Sequence, residues 1–316
     1  MVKSNVKIYK TMISSFLDPK NDFCFYQIFG TEKNKDILIH FLNDILSYKG
    51  DQKILEVEFL PTSQNREIAA YRQSIVDVMC RSQNGEKVIV EMQITKHKGF
   101  EKRAQFYASR AYSQQVLVED ENHKKMEVYA KLKGVIFLAI ADFTMFPDKQ
   151  AWKSKHKILD TITYENDLKD FHFIFIELPK FKLKLDELKT IQHKWAYFFK
   201  HADHSTFTEI QHLIGNDPII RRAFEAVDQA SWSEADLNAY DSRMKAHFDN
   251  LAVEAQKLED AEAKGEARGE ARGEARGIKL TAINMLKDGV AKDAVSKYTG
   301  LSIDEISAFQ IEDNKS

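Results

Sequence analysis

The amino-acid sequence predicts an α/β (α+β) protein, in which a mixed β-sheet is flanked by helices and followed by an all-helical C-terminal extension. Two runs, GVIFLAIADF (134–143) and FHFIFIEL (171–178), are apolar at nearly every position, which indicates central strands covered on both faces. A hairpin pattern precedes them at residues 74–95. Helical patterns follow from Leu185 onward. A mixed sheet between helices accounts for all three observations.

Length and composition indicate one main domain with appendages. The chain has 316 residues, and a hydrophobic content of 43% allows a sizeable core. We expect a core over residues 1–182, a helical extension over 183–261, a repeat tether over 262–277 and a small helical tail over 278–316. The net charge of −2 argues against a globally basic architectural DNA binder, so any attraction for phosphate must be local.

The two cysteines, Cys24 and Cys80, are too few for a disulfide framework. They are typical of small buried hydrophobic residues in a reducing cytoplasm. The sequence shows no secretory or membrane-spanning segment, and we therefore expect a cytoplasmic protein.

Two adjacent strand-like runs carry the acids of a candidate active site. In SIVDVMCR (74–81), Asp77 is a lone acid among apolar residues. In KVIVEMQIT (87–95), alternation places Glu91 and Gln93 on the same face. A strand over Ile54 to Leu60 is expected to come first in the sheet.

The length of the loop between these runs decides which side chains meet. A two-residue Asn84-Gly85 turn would place Asp77 opposite Met92 and separate the acids onto different faces. A three-residue loop, Gln83-Asn84-Gly85 with Gly85 left-handed, places Asp77 directly opposite Glu91. Cross-strand neighbours have Cβ atoms about 5 Å apart. The sequence therefore predicts a three-residue loop if the two acids act together.

Two unpaired carboxylates at this distance repel each other, and a fold normally avoids such a pair. A bound dication reverses the effect, since Mg²⁺ prefers a few carboxylates together with water and phosphate oxygens. The alternative is a half-solvated hairpin with a polar outer face. Spacing alone leaves both interpretations open.

Several segments in order resemble the recombination-promoting nuclease / transposase family of the PD-(D/E)XK nuclease superfamily. They are LDPKNDFCFYQIFG (17–30), SIVDV, VIVEMQ, GFEKRAQFYASRAYSQQV (99–116) and YAKLKGVIFLAIADFTMF (129–146). The resemblance covers about the first two hundred residues, and Glu-x-Gln in place of the superfamily's Glu-x-Lys is characteristic of this branch.

This resemblance implies a restriction-endonuclease-like sheet and a metal-dependent DNA endonuclease whose breaks promote recombination or transposition-like events. By position, Asp77 and Glu91 would be metal ligands, joined by the backbone carbonyl of Met92, and Gln93 would occupy the usual lysine place. The cofactor would be Mg²⁺ or another divalent cation such as Mn²⁺ or Ca²⁺. Because Gln93 offers only neutral hydrogen bonds, slow turnover is expected.

Two alternatives remain at this point. The chain could keep the nuclease fold but act as a catalytically weak or inactive module that binds DNA or a partner. RNA could also be the substrate, because nothing in the sequence reads a 2′-hydroxyl.

Three further residues are candidates for supporting roles. Asp22 precedes a predicted helix running toward Gly30, where an acid is also an ordinary cap, and Tyr26 stands where the family often has a lysine. On a predicted helix over 99–118, Arg103 and Tyr107 share one face with Arg110 and Gln114. The resemblance makes a phosphate-contacting or metal-ordering role plausible for Arg103 and Tyr107, and the alternative is a solvated face of a helix that packs by its alanines.

The C-terminal part is predicted to be helical. Trp195 and the aromatic residues 197–199 suit a core better than a base-stacking platform, and the nearby histidines lack zinc-ligand spacing. A tandem EAKG/EARG repeat over 262–277 predicts a weak helix, because glycine recurs every four residues and like charges stack. Residues 278–310 resemble a small helix-turn-helix broken at Gly289 and Gly300, for which homo-oligomer formation or packing is an alternative at least as good as reading DNA.

Overall fold

The computed structural model describes residues 15–61, 76–119 and 128–313. The chain divides into two compact units, Met1–Met244 and Lys245–Ser316. The described strands are β1 (Val57–Phe59), β2 (Val78–Ser82), β3 (Lys87–Gln93), β4 (Val135–Ala141), β5 (Lys153–Lys157) and β6 (Phe171–Glu177). The described α-helices are α1 (Asp22–Phe29), α2 (Lys35–Leu46), α3 (Phe100–Glu119), α4 (Ile191–His201), α5 (Phe207–Ile214), α6 (Pro218–Val227), α7 (Glu234–Lys287), α8 (Lys292–Thr299) and α9 (Ile303–Asp313).

The strands of the first unit form one mixed sheet in the order β1-β2-β3-β4-β6-β5. The central strands β3, β4 and β6 run parallel, and the other neighbours pair antiparallel. All seven residues of β4 are buried, as expected for a parallel strand covered on both faces. The two predicted central strands are therefore confirmed, and the predicted strand Ile54 to Leu60 is confirmed over Val57–Phe59.

The β2–β3 hairpin has the register that a three-residue loop requires. Val78 lies opposite Val90, and Cys80 lies opposite Val88. Gly85 adopts a φ of 86°, and its N–H donates to the carbonyl of Ser82 at 2.9 Å. This left-handed position costs a glycine little, which explains why the loop closes there. The predicted first run starts earlier than β2, and residues 74 and 75 lie outside the described part of the chain.

One face of the sheet is covered by helices from both ends of the first unit. The core on this face joins α1, α2, α4 and α6, and its rings are in close contact. Phe41 lies 5.0 Å from Phe29 and 5.2 Å from Trp195 between ring centroids. Trp195 and residues 197–199 are buried, which confirms their predicted role in the core. The helical segment after Leu185 thus shares its core with the N-terminal helices.

The other face of the sheet is covered by α3. Ala104, Ala108 and Ala111 are fully buried against a cluster that includes Ile89 and Phe137. Small side chains let the helix approach the sheet closely, so its Arg103 face remains at the rim. The helix was predicted over 99–118 and is observed over Phe100–Glu119.

Buried and free cysteines complete the agreement with the sequence. Cys24 and Cys80 are both buried and unbonded to each other. Within the described ranges, no helix combines the length and the apolar character needed to cross a membrane.

The second unit, taken by itself, contains most of α7 together with α8 and α9. The predicted weak helix over 262–277 is a regular part of α7, and its residues are exposed. Ala282, Val295 and Ile306 form a small core at the end of α7. The predicted helix breaks are confirmed by positive φ angles of 82° at Gly289 and 73° at Gly300.

Candidate active site

Asp77 and Glu91 come together where β2 begins and β3 nears its end. Continuing the register of the hairpin by one residue beyond Val78 places Asp77 opposite Glu91. Alternation along the strands puts both acids on the α3 face, which also carries Met79 and Ile89. The N–H of Met92 donates to Oδ2 of Asp77 at 2.6 Å, so the backbone of β3 orients this carboxylate.

Glu91 is a buried acid with an unsatisfied oxygen. Glu91 is only 3% exposed, and its Oε1 has no hydrogen-bond partner within the described part of the chain. Burial, followed by the charge of Asp77, raises the pKa of Glu91 well above its usual value. A buried carboxylate without a partner is costly, and native folds normally avoid it.

Asp77 is perturbed in the same direction. Burial raises its pKa from 3.8 to about 7, while the N–H of Met92 and the charge of Arg103 oppose the rise. Ionisation of both acids at the same time is therefore unfavourable unless a cation lies beside them.

Gln93 is held by contacts on both sides of its amide. A guanidinium nitrogen of Arg103 donates to Oε1 of Gln93, and Nε2 of Gln93 donates to the carbonyl of Thr95 at 3.2 Å. Because arginine can only donate, this contact fixes the amide orientation with Oε1 toward α3. One hydrogen of Nε2 remains for a further acceptor.

Arg103 sits between two aromatic rings at the rim of the site. Its Cζ lies 4.8 Å from the Phe100 ring centroid and 5.8 Å from that of Tyr107. Its Nε is buried and has no hydrogen-bond partner among the described residues. The charge of Arg103 lowers the pKa of both Asp77 and Glu91. The guanidinium is thus held close to the acid pair and keeps unused donor capacity.

The predicted shared face of α3 is present. Arg103, Tyr107, Arg110 and Gln114 are all half-buried, whereas the intervening alanines are buried against the sheet. The alanines pack the helix against the sheet, as one interpretation expected, and Arg103 contacts Gln93 beside the acids. A role of Arg103 and Tyr107 toward phosphate or metal stays a prediction.

Asp22 lies at the start of α1 and is exposed. The helix cap is the preceding residue, since Oδ1 of Asn21 accepts the N–H groups of Phe23 and Cys24. Asn21 is therefore the N-cap, and Asp22, for which capping was the alternative to a metal role, is an acid of the first turn. Asp22 raises the pKa of both Asp77 and Glu91, which places its charge within electrostatic range of the pair.

The oxygens available to a metal at this site are few. Among the residues that the structure describes, no group of three or more histidine, cysteine, aspartate or glutamate side chains could hold an ion. Two carboxylates and a backbone oxygen remain. The N–H of Met92 points toward Asp77. The carbonyl of Met92 points toward the same side, because the N–H and C=O groups of one strand residue face the same neighbouring strand. By contrast, the carbonyl of Gln93 is taken by the N–H of Asp142 at 3.0 Å.

Sequence reasoning did not single out Asp142, although it is the first polar residue after the apolar run of β4. Its carboxylate lies 3.3 Å from Nζ of Lys20, which also approaches Asp18 at 3.8 Å. These contacts tie the segment before α1 to the end of β4, beside the backbone of Gln93.

A buried ion pair fixes the loop after β4. Glu177 is fully buried at the end of β6 and binds Lys180 at 2.8 Å. Its other oxygen accepts the N–H groups of Met145 and Phe146 at 2.6 and 3.0 Å. All its contacts are internal, which indicates a structural role. A glutamate ending an apolar strand was the sequence signal for this pair.

Comparison with known proteins identifies one family. A family model described as PD-(D/E)XK nuclease family transposase matches residues 19–256. No curated protein and no solved structure gives a significant match.

Proposed function

The chain belongs to the PD-(D/E)XK nuclease family transposases, and from this premise we propose that it is a metal-dependent endonuclease that hydrolyses DNA phosphodiester bonds. Its mixed sheet flanked by helices is consistent with the restriction-endonuclease-like fold of that family. Family membership supports nuclease chemistry in general, and the contacts around Glu91 support the specific site.

The observation that carries the proposal is the buried Oε1 of Glu91, which has no hydrogen-bond partner among the described residues, on the residue opposite Asp77. Two acids in this arrangement destabilise a protein unless a cation binds between them. Hard oxygen donors suit Mg²⁺, which binds through one or two carboxylates and keeps several waters, so the small number of side-chain ligands fits this ion. Mn²⁺ or Ca²⁺ could take the same oxygens.

The residues that would hold the ion are Asp77, Glu91 and the carbonyl of Met92. When bound, a divalent cation lowers the pKa of a coordinated water and neutralises charge on the scissile phosphate. The N–H of Met92 contributes by fixing the orientation of Asp77.

Gln93 and Arg103 would act together on the helix side of the site. Gln93 orients the attacking water through the remaining hydrogen of Nε2, since its oxygen is taken by Arg103. Arg103 brings the positive charge that a lysine carries in the usual arrangement, and a guanidinium donates well to phosphate oxygens. The ring of Tyr107 packs against the guanidinium of Arg103. The negative charge of Asp22 adds to the attraction of the site for a cation.

Supercoiled plasmid tests this proposal. Purified protein should nick the plasmid with Mg²⁺ and leave it intact with a chelator. Glu91→Ala and Asp77→Ala should both be inactive. Nicking by Glu91→Ala at the wild-type rate would remove the site assignment, and the absence of nicking by wild type with any divalent ion would remove the enzyme assignment.

The second candidate function is a nuclease-fold protein that binds DNA or a partner with little catalysis. It is favoured by the engagement of both ends of the Gln93 amide and by Tyr26, which brings no charge to the site. Calorimetric titration with Mg²⁺ separates the two. The enzyme should bind the ion with an affinity that Asp77→Ala abolishes, whereas a binder without a metal site should show no difference.

Breaks made by this activity would promote recombination or transposition-like events. The free, buried thiols of Cys24 and Cys80 support a cytoplasmic location for it. The exposed length of α7 supports assembly into a homo-oligomer through the helical C-terminal region.

A further inference from the structure

A chain of contacts leads from the surface of α3 to the acid pair. Phe106 is 59% exposed, and its ring centroid lies 6.0 Å from that of Tyr107. Tyr107 lies under the guanidinium of Arg103, which binds Gln93. The exposed ring of Phe106 is therefore connected to Gln93 through two side chains, those of Tyr107 and Arg103.

The segment around Phe106 is positively charged, whereas the chain as a whole has a negative net charge. Between residues 96 and 110 there are five basic residues and a single acidic one, in a protein whose net charge is −2. Lys96, Lys98 and Lys102 are exposed, and none of the ion pairs among the described residues involves them. Lys102 lies one helical turn before Phe106, on the same side of α3.

The position of these lysines follows from the strand that carries the site. Residues 94–99 leave the carboxyl end of β3 directly after Gln93, and Gly99, with a φ of 81°, turns the chain into α3. The N–H groups of Lys102 and Arg103 both donate to the carbonyl of Gly99 at 3.0 Å. Lys96 and Lys98 thus lie on the connection between Gln93 and Arg103.

We propose that Lys96, Lys98, Lys102 and Phe106 form a binding surface for an unpaired strand of DNA next to the scissile bond. This proposal rests on the proposed nuclease function and specifies its substrate class. Exposed lysines attract phosphates of any DNA, but an exposed aromatic ring can stack only on a base that is not already stacked in a duplex. A cationic strip combined with an exposed ring is typical of single-strand binding surfaces. The preferred substrate is therefore a single-stranded, flapped or branched DNA.

Fluorescence anisotropy tests this surface without cleavage. Wild-type protein in chelator is titrated into a labelled single strand and a labelled duplex of equal length. The single strand should bind more tightly. Phe106→Ala should weaken single-strand binding by about 5- to 150-fold, which is the range for loss of one base stack, and leave duplex binding almost unchanged.

The dependence of single-strand affinity on salt concentration tests the role of the lysines. Replacing Lys96, Lys98 and Lys102 together by Gln should reduce the slope of log affinity against log salt by about 2 for a single strand. The matched controls are Phe207→Ala, which removes a ring that is 70% exposed on α5, and glutamine at the exposed lysines 49, 182 and 189. Neither control should change affinity or slope, and equal melting temperatures verify folding.

Equal affinity for the single strand and the duplex would overturn the proposal, as would equal effects of Phe106→Ala and Phe207→Ala. These outcomes are distinct from failure of the nuclease function. A protein that binds as proposed but cleaves neither plasmid nor single-stranded DNA with any divalent ion would contradict only the enzyme assignment, and a metal-dependent nuclease without single-strand preference would contradict only this surface.

Discussion

Arg103 of α3 donates a hydrogen bond to the side-chain oxygen of Gln93 at the end of β3, which joins the helix to the strand that carries Glu91. The position that holds a lysine in the usual superfamily motif is neutral here, and a positive charge reaches it from a neighbouring element. In the proposed mechanism the two residues would act together, with Gln93 supplying an oriented amide and Arg103 supplying the charge.

Moving the charge back to the strand tests this relationship. Arg103→Gln should lower the nicking rate by about 100-fold, because it removes a preorganised donor beside the reacting phosphate. Combining Gln93→Lys with Arg103→Gln should restore much of the lost rate, since the lysine then carries the charge. Single-turnover plasmid nicking measures both.

Arg243→Gln, at an exposed position on α7, is the control and should nick at the wild-type rate. A double variant no better than Arg103→Gln would mean that Arg103 acts only in packing between Phe100 and Tyr107.

Glu91 should trade stability for function. Glu91→Met replaces a buried, unsatisfied carboxylate with an apolar side chain of similar length, and we expect the metal-free protein to gain about 1–3 kcal/mol in free energy of unfolding. The variant should be inactive. Urea denaturation in chelator at pH 8 measures the gain.

Glu101→Met, on the exposed side of α3, is the matched control and should change stability by no more than about 0.5 kcal/mol. If Glu91→Met proved less stable than wild type, the carboxylate would have a native partner, and the space for an ion would be in doubt.

Stability of the metal-free protein should fall as pH rises from about 4 to about 7. The pKa of Asp77 is raised from 3.8 to about 7, so the folded state holds this proton more tightly than the unfolded state. The resulting stabilisation is fully present below the unfolded pKa and is lost as pH rises to about 7. Its size is about 2–4 kcal/mol.

Denaturation midpoints in chelator across this pH range measure the loss, and Asp77→Asn should lack most of it. Saturating Mg²⁺ should reduce the loss of stability between about pH 4 and about pH 7, because an ion stabilises the ionised pair. An identical slope in wild type and Asp77→Asn would assign the pH dependence to other groups.

The same substitution at two glycines should have opposite effects. Gly85→Ala should destabilise the protein by about 1 kcal/mol, because the hairpin requires a φ of 86° there. Gly269→Ala should stabilise α7 by up to about 1 kcal/mol, because that glycine lies inside an exposed helix with open space around it. Thermal melts followed by circular dichroism measure both.

Because Gly85 sets the loop that brings Asp77 opposite Glu91, Gly85→Ala should also reduce nicking. A fully active Gly85→Ala protein would show that the acid pair tolerates a different loop.

Much of the fold could be predicted from the sequence, because the local preferences of its residues agree with the tertiary structure. The apolar run of β4 indicated a strand covered on both faces, and Trp195 with its neighbouring aromatic residues suited a core better than a base-stacking platform. The turn at Gly85 was predictable because a left-handed residue is needed in a three-residue loop. The helix breaks at Gly289 and Gly300 follow from the same backbone preference.

Other features were not readable from the sequence. The capping role belongs to Asn21 and not to Asp22, and the choice between them depends on where α1 begins within one residue. Helix α7 is continuous, although each of its glycines lowers the local stability of a helix. The bond between Arg103 and Gln93 joins residues ten positions apart whose partnership depends on how closely α3 packs on the sheet.

The sequence by itself determined the composition of the site, namely two acids, an amide and a nearby arginine, together with the strand periodicity that puts the acids on one face. Only the tertiary structure decided that Oε1 of Glu91 has no partner in the described part of the chain, that Asn21 caps α1 and that the charge of Arg103 reaches Gln93. The physical reason is that periodicity fixes directions within one strand or helix. Burial, hydrogen-bond satisfaction and electrostatic coupling depend on which other elements pack against it, and that information is distributed along the whole chain.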